Sequence, residues 1–216
     1  MNIIHAIYSA LYERYNDAGW WPAETPYEVI LGSILTQHTS WDSVEKVLSE
    51  NRELLRPEDL LNMDTYELMN RIKPAGSFTR KAECLKAVTK WFKGYGYDSE
   101  TVGKEPLEKL RNELLGIKGI GRETADSILL YAFDRLTFVV DAYTSRLVQR
   151  FPVDVMPLYD TIQRYFAEHI AADVSVYKNY HALIVINGKG SCRARPCCEG
   201  CPLSGQCKKR LGERGS

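Results

Sequence analysis

The sequence predicts an all-α fold, and three kinds of observation support that prediction. Apolar residues recur at helical spacing in nearly every segment of the 216-residue chain. Capping signals stand where such stripes begin, and glycine or proline stands where they end. Two short apolar runs, at residues 136–140 and 183–186, have a strand-like composition, but neither has a hairpin signal that would supply a partner.

The individual helices follow from these signals in chain order. Residues 25–28 (Thr-Pro-Tyr-Glu) form a capping box with proline at the first helical position, and an apolar stripe follows it. Residues 64–67 offer a second box, before a helix that stops at the Pro-Ala-Gly of residues 74–76. A further helix ends at residues 94–96, and two more flank a glycine-rich turn within residues 107–132.

Composition and charge bound the possible classes of protein. The chain is 44% hydrophobic and 26% charged, as in ordinary globular proteins. It lacks the basic start and apolar run of a signal peptide, and no stretch approaches the roughly 20 apolar residues that span a bilayer. Lys and Arg number 28, as do Asp and Glu, so net charge alone does not predict nucleic-acid binding. We expect a cytoplasmic protein with no membrane partner.

The glycine-rich turn is a candidate anion-binding element. Gly116, Gly119 and Gly121 lie between two helical stripes, and Arg122 opens the second. Glycines let backbone N–H groups approach an anion without obstruction by a Cβ atom, at the N-terminus of the following helix. The alternative is a plain connector between two helices.

Five of the six cysteines crowd into residues 192–207, which indicates metal binding in a chain without a secretion signal. Cys192, Cys198, Cys201 and Cys207 have intervals of five, two and five residues. Cys197 offers a second register for the second ligand. Four thiolates at such spacing bind either a [4Fe–4S] cluster or zinc.

These landmarks together resemble the helix-hairpin-helix (HhH-GPD) superfamily of DNA glycosylases, in its endonuclease III branch. The resemblance rests on residues 116–125 followed by Val140-Asp141, on the cysteine loop, and on two further loops. The loop with Gln37 resembles the one that fills the gap left by a flipped base. The loop with Ser77 and Phe78 resembles the second DNA-wedging loop of the family.

The resemblance implies two helical domains with a DNA cleft between them. A helical barrel would occupy residues 23–135 and include the helix-hairpin-helix at about 107–132. Residues 1–22 and 136–216 would form the domain that holds a structural [4Fe–4S] cluster, although relatives usually have six residues in the first cysteine interval. The implied partner is double-stranded DNA with a damaged base. The implied protein is a monomer associated with a prokaryotic nucleoid.

The implied catalytic residue is Asp141, whose carboxylate would stabilise the oxocarbenium character of the sugar as the glycosidic bond breaks. The same residue could cap the next helix, and the two roles are compatible. Bifunctional relatives place a lysine eighteen residues before this aspartate, where the present chain has Glu123. A carboxylate cannot form an imine, so hydrolysis without abasic-site lyase activity is expected. Apart from this difference, we expect Glu123 to have no chemical role and to be a solvated acid in the first turn of its helix, where the helix dipole favours it.

The residues Trp20, Trp21, Pro22 and Trp41 resemble the base pocket of endonuclease III-type 3-methyladenine glycosylases. Alkylated purines are cationic, and a tryptophan face attracts cations by about 0.5–2 kcal/mol. Lys189 lies where the family's C-terminal segment approaches the pocket. The alternatives are a surface lysine and tryptophans that belong to the core.

The leading hypothesis is therefore a monofunctional glycosylase of base excision repair that acts on 3-methyladenine or 7-methylguanine. A uracil, mismatch or oxidised-pyrimidine glycosylase on the same fold is the alternative enzyme. A DNA-binding iron–sulfur protein without catalytic activity is the alternative outside enzymes.

Overall fold

The computed structural model describes residues 2–18 and 21–208. Within these residues all regular secondary structure is helical, which confirms the predicted class. The helices are α1 (Ile3–Tyr15), α2 (Pro26–Leu35), α3 (Trp41–Glu50), α4 (Pro57–Asn62), α5 (Thr65–Arg71), α6 (Phe78–Gly94), α7 (Ser99–Gly103), α8 (Leu107–Leu115), α9 (Arg122–Phe133), α10 (Ala142–Arg150), α11 (Tyr159–His169) and α12 (Val174–Gly190), with 3-10 turns at Arg52–Leu55 and Lys73–Ala75.

The strand-like runs are not strands. Residues 136–140 lie in the connection between α9 and α10, and residues 183–186 lie inside α12. The described residues divide into two compact units, residues 21–135 on the one hand and residues 2–18 with 136–208 on the other. None of the described helices is long and apolar enough to cross a membrane.

The core of the unit formed by residues 21–135 is built on two helices, α2 and α9, which pack against each other. Thr25 begins α2 as predicted, since its side chain accepts a hydrogen bond from the amide of Glu28. From Tyr27 to its end α2 is apolar on nearly every side, except at Glu28, and it is buried accordingly. In α9 every residue from Thr124 to Phe133 is buried. The first turn of α9 is therefore the part of this helix that solvent can reach.

The other unit is built around α12, against which α1 and α10 pack. The hydroxyl of Tyr180 in α12 donates a 2.7 Å hydrogen bond to the carbonyl of Ile4 in α1. Gly188 allows close approach of α10, because a Cβ atom at this position would lie 2.3 Å from Cδ1 of Tyr143. The contact of Gly188 with Tyr143 holds the start of α10 against the last turns of α12.

Candidate functional site

The glycine-rich turn joins α8 to α9 as predicted. Gly119 has φ +99°, a left-handed conformation that glycine adopts without strain, and its Cα packs against Cys84 of α6. Gly116 is the C-cap of α8, and Gly121 is the N-cap of α9. Because Gly121 has no side chain, the first turn of α9 has no side-chain cap at this position. Arg122 follows and is exposed.

Gln37 is held against this turn. Its Nε2 atom donates hydrogen bonds to the carbonyl of Gly119 and to Oγ1 of Thr124, both at 3.0 Å. The predicted DNA loop that contains Gln37 is therefore tied to the hairpin by its own side chain. Sequence reasoning missed this link because the partners are more than 80 residues away in the chain.

The predicted second DNA loop leads into α6. Ser77 is its N-cap, is exposed, and has φ +46°, a conformation that residues other than glycine rarely adopt. Gly76 before it has φ +69°, and Phe78 after it is half-buried. The backbone of this loop is thus unusual at two successive residues.

An aromatic group gathers two of the predicted pocket residues with one that the sequence did not suggest. The ring of Trp21 lies 6.0 Å from that of Trp41 and 5.1 Å from that of Tyr131 in α9. Trp21 also packs on Gly32, where an added Cβ would lie 3.2 Å from its Nε1 atom. This buried Nε1 has no hydrogen-bond partner among residues 2–18 and 21–208. Pro22 is exposed.

Two pocket predictions are not tested by this geometry. Trp20 lies outside the described residues. Lys189 is exposed in the last turn of α12, in the unit that also contains Asp141. The role of each in a base pocket stays a prediction.

Asp141 is the N-cap of α10, which confirms the capping prediction. Its Oδ1 atom accepts a 2.7 Å hydrogen bond from the amide of Thr144, and its Oδ2 atom lies 3.6 Å from Nε2 of His181. Asp141 is 9% exposed and His181 is 5% exposed. Burial alone would raise the pKa of Asp141, but its electrostatic interaction with the nearby imidazole of His181, helped by the Thr144 amide, outweighs burial and lowers that pKa. The carboxylate is thus buried, oriented and ionised at neutral pH.

Glu123 lies in the first turn of α9 and is exposed. A buried acid one turn further on has a different function. Asp126 accepts hydrogen bonds of 2.8 and 3.0 Å from the guanidinium of Arg111, which ties α8 to α9 across the hairpin. The sequence alone did not predict this ion pair, because Arg111 and Asp126 lie 15 residues apart and meet only when the hairpin folds α8 against α9.

The four cysteines predicted as ligands line one cavity, and Cys197 does not, since its side chain is exposed. Burial raises the pKa of Cys201, and the nearby Cys192, Cys198 and Cys207 raise it further. Within residues 2–18 and 21–208, however, no three His, Cys, Asp or Glu side chains are grouped so that they could hold a metal ion. The four cysteines share a cavity, but their thiols are not arranged as a metal site.

Two arginines of α10 hold the cysteine loop. Arg150 is 6% exposed and donates from Nη1 to Sγ of Cys192 at 3.0 Å and from Nη2 to the carbonyl of Ala194 at 3.2 Å. Arg146 donates to the carbonyl of Cys192 at 2.8 Å. Neither arginine was predicted as part of the site, because nothing in their spacing points to the cysteines.

The chain resembles known proteins along nearly its whole length. It is 45% identical over 211 residues to a Methanocaldococcus jannaschii protein provisionally assigned as a DNA repair glycosylase, covering 95% of this chain and 96% of that one. It is 28% identical over 190 residues to endonuclease III of Sulfolobus acidocaldarius, covering 86% and 82% of the two chains.

Solved structures share the fold. The H. pylori 3-methyladenine DNA glycosylase MagIII, bound to 1,N6-ethenoadenine, superposes with a TM-score of 0.76 at 25% identity and covers 86% of this chain and 97% of its own. An endonuclease III trapped as a covalent intermediate with DNA superposes with a TM-score of 0.78 at 21% identity, covering 96% and 97%.

The profile of the HhH-GPD superfamily of base excision DNA repair proteins matches residues 31–172, which span both the glycine turn and Asp141. That match covers more than half of the chain, and the Methanocaldococcus relative covers almost all of it. The chain therefore belongs to the HhH-GPD superfamily and is a DNA glycosylase of that base excision repair family.

Proposed function

We propose that this protein is a monofunctional DNA glycosylase that hydrolyses the N-glycosidic bond of an alkylated purine, 3-methyladenine or 7-methylguanine, in double-stranded DNA. The observation that carries the proposal is the carboxylate of Asp141, which is buried, ionised and held in one orientation. The aromatic group around Trp21 supports the choice of base. Glu123 supports the absence of lyase chemistry.

Asp141 is proposed as the catalytic residue. A glycosylase must extrude the target nucleotide from the stack before it can reach C1′. As the bond to the base breaks, positive charge develops on the sugar, and a fixed carboxylate stabilises that charge without having to reorganise. The Thr144 amide and His181 hold the carboxylate, so that its negative charge is present before the substrate arrives. Water then completes the hydrolysis.

The hairpin is proposed to bind the DNA backbone. Gly119 is proposed to shape the turn through its left-handed backbone, and Gly121 to leave the main chain open to a phosphate. The N-terminus of α9, which follows, carries a partial positive charge. Gln37, Ser77, Phe78, Gly116 and Arg122 would contribute further contacts with the duplex. The DNA complexes solved for endonuclease III, which has the same fold, support this assignment.

The absence of lyase activity rests on the chemistry of residue 123. Lyase action requires an uncharged amine that attacks C1′ and forms an imine. The side chain of Glu123 has no nitrogen to contribute, and its neighbour Arg122 has a guanidinium and not an amine. The chain therefore has the carboxylate of Asp141 to activate water. At residue 123 it lacks the amine that the resemblance leads us to expect in bifunctional relatives.

The aromatic group supports a cationic substrate. The faces of Trp21 and Trp41 could stabilise a methylated purine by about 0.5–2 kcal/mol for each favourable contact, and the buried ring of Tyr131 packs against Trp21. Such a base is already a good leaving group, so a strong general acid is not required. MagIII, which is 25% identical, acts on 3-methyladenine by its name. Trp20, Pro22 and Lys189 are proposed as further residues for recognition of the base.

We propose further that Cys192, Cys198, Cys201 and Cys207 hold a [4Fe–4S] cluster. These thiols line one cavity, and four thiolates at this spacing in the sequence are a ligand set that suits such a cluster. The cluster would cross-link the C-terminal loop. Hydrolysis of a glycosidic bond needs no electron transfer, so the role is structural.

The main test incubates the protein with duplexes that contain 3-methyladenine, 7-methylguanine, uracil or thymine glycol. We expect release of the methylated bases and strand breaks only after treatment with alkali. Strand cleavage without alkali, or trapping of an imine by borohydride, would contradict the monofunctional assignment. Release of uracil or thymine glycol alone would contradict the choice of base.

The cluster is tested with a matched pair of variants. We expect Cys198→Ser to lose the visible absorbance of the cluster and its iron, because it removes one of four ligands. Cys197→Ser should keep both, since its side chain is exposed and outside the cavity. Purified protein that contains one zinc per chain and no iron would contradict the proposal.

A further inference from the structure

A fully buried lysine lies beneath the two predicted DNA loops. Lys81, in the first turns of α6, is 1% exposed, and its Nζ atom donates hydrogen bonds to the carbonyl of Leu35 at 2.8 Å and to the carbonyl of Ala75 at 2.7 Å. Lysine is almost never fully buried without a charged partner. Here the described residues provide only carbonyl groups.

Both carbonyls end a helical segment immediately before a loop. Leu35 is the last residue of α2 and precedes Gln37 by two positions, while Ala75 is the last residue of a 3-10 turn and precedes Ser77 by two positions. The last carbonyls of a helix have no partner within it, and a cation there is favourable. One ammonium group therefore caps two segments that are far apart in sequence.

We propose that Lys81 is a positioning residue for DNA binding, which sets the spacing between the Gln37 loop and the Ser77 loop by holding the carbonyls that precede them. This inference rests on the proposed function, in which both loops contact the duplex. It adds a residue that never touches DNA itself. The same helix face also supports the hairpin, because Cys84, one turn after Lys81, packs against Gly119.

Burial of this ammonium group costs free energy of desolvation, which an apolar side chain at the same position would avoid. Burial, with a smaller contribution from Arg80, lowers the pKa of Lys81 to about 8. None of the ion pairs among the described residues includes Lys81. The titratable and charged residues of the elements packed on α6 are Tyr27, Glu28, Glu58, Asp59, Tyr66, Glu67, Arg71 and Lys73, and those of α6 nearest to Lys81 are Arg80, Glu83 and Cys84.

Several of the acids on those elements already have other partners. Glu67 pairs with Arg71, and Asp59 pairs with Arg56. Glu28 accepts a hydrogen bond from the amide of Glu24. These acids are therefore engaged elsewhere. Because the pKa of Lys81 is about 8, its ammonium group loses a proton as the pH rises through that value, and its two hydrogen bonds then become weaker because they lose the assistance of the charge.

The chain supplies a matched control in the same helix. Lys86 also donates from Nζ to two carbonyls, those of Leu61, at 3.0 Å, and Met63. These carbonyls lie at the end of α4, which precedes no predicted DNA loop. Lys81→Met and Lys86→Met therefore remove the same kind of contact, but only the first removes it beneath the two loops.

The experiment measures the Kd for a duplex with an abasic-site analogue, by fluorescence anisotropy at constant salt from pH 6.5 to 9.5, together with Tm. At pH 7 we expect Lys81→Met to bind about tenfold more weakly than the wild type, since the loops must then be ordered on binding. Lys86→Met should bind like the wild type. Between pH 7 and 9 the wild type and Lys86→Met should lose affinity several-fold more than Lys81→Met does.

Stability gives a readout of opposite sign. The pKa of Lys81 is lower in the folded than in the unfolded chain, so the unfolded chain binds more protons between about pH 8 and 10. The Tm of the wild type relative to Lys81→Met should therefore rise over the range in which its affinity falls. A role confined to general stability would make affinity follow Tm.

Equal Kd values and equal pH profiles for the two variants would overturn the inference and leave the proposed function intact. Failure of the wild type to bind DNA at any pH would overturn both. If Lys81→Met does not fold, the pH profiles of the wild type provide the test. A fall in DNA affinity near pH 8 without a fall in Tm supports the role of Lys81, and an affinity that does not fall near pH 8 overturns that role.

Discussion

The two helices that carry the proposed chemistry, α9 and α10, begin in opposite ways. The N-cap of α9 is Gly121, which has no side chain to accept a hydrogen bond from the first turn. The N-cap of α10 is Asp141, whose carboxylate accepts one from the amide of Thr144. A helix start without its own acidic cap suits an external anion. A helix start with a carboxylate cap instead fixes the orientation of that carboxylate.

The two helix starts also differ in burial, since the N-cap residue of α9 is exposed and that of α10 is buried. Gly121, Arg122 and Glu123 are exposed, whereas Asp141 is 9% exposed and Thr144 is fully buried. A phosphate could therefore reach the start of α9 from solvent. At the start of α10 the charged group belongs to the protein and is desolvated, which strengthens its electrostatic effect on a bound substrate. The N-terminus of a helix can therefore serve either anion binding or catalysis, depending on the residue that caps it.

Asp141→Asn should have the largest effect. Asparagine caps a helix as well as aspartate does, so the fold and the Kd for DNA should change little. The negative charge is lost, and we expect kcat for base release to fall by about 10³-fold. Single-turnover release of the methylated base, with Kd measured in parallel, checks this. An unchanged kcat would remove Asp141 from the reaction and leave α10 with a structural cap only.

Gly121→Asp would make the start of α9 resemble that of α10. We expect a gain of a few tenths of a kcal/mol in stability from the new cap. DNA affinity should fall by about 100-fold, because the carboxylate displaces a phosphate contact and repels the backbone. Gly121→Ala is the matched control, since no atom of the described residues lies within 4 Å of its added Cβ, and it should lose much less affinity. Equal affinities for the two variants would contradict phosphate binding at this turn.

His181→Asn should have the smallest of the three effects and tests what holds the carboxylate. Burial of Asp141 remains, but the interaction that lowers its pKa is removed, so this pKa should rise. We expect kcat to fall by about tenfold. The acid limb of the pH profile of kcat should also move to higher pH, whereas a profile with an unshifted limb would show that His181 does not act through Asp141.

The helix starts and the cysteine spacing were predictable because they depend on residues close together in the chain. Thr25, Asp64 and Asp141 all accept hydrogen bonds from amides two or three residues later, so the sequence alone identifies them as caps. The strand-like composition of residues 183–186 was misleading. These residues are apolar because this part of α12 lies in the core, where Leu183, Ile184 and Val185 are buried, and a buried helix and a buried strand have similar composition over four residues.

The sequence by itself thus determined the all-α class, the glycine turn, the capping carboxylate and the thiol spacing of this protein. Only the tertiary structure decided that Gln37 bonds to the hairpin, that Tyr131 joins the tryptophans, that His181 faces Asp141, and that one buried lysine joins two loops. The physical reason is range. Caps and turns depend on backbone groups a few residues away, whereas these partners meet only after helices distant in sequence have packed against each other.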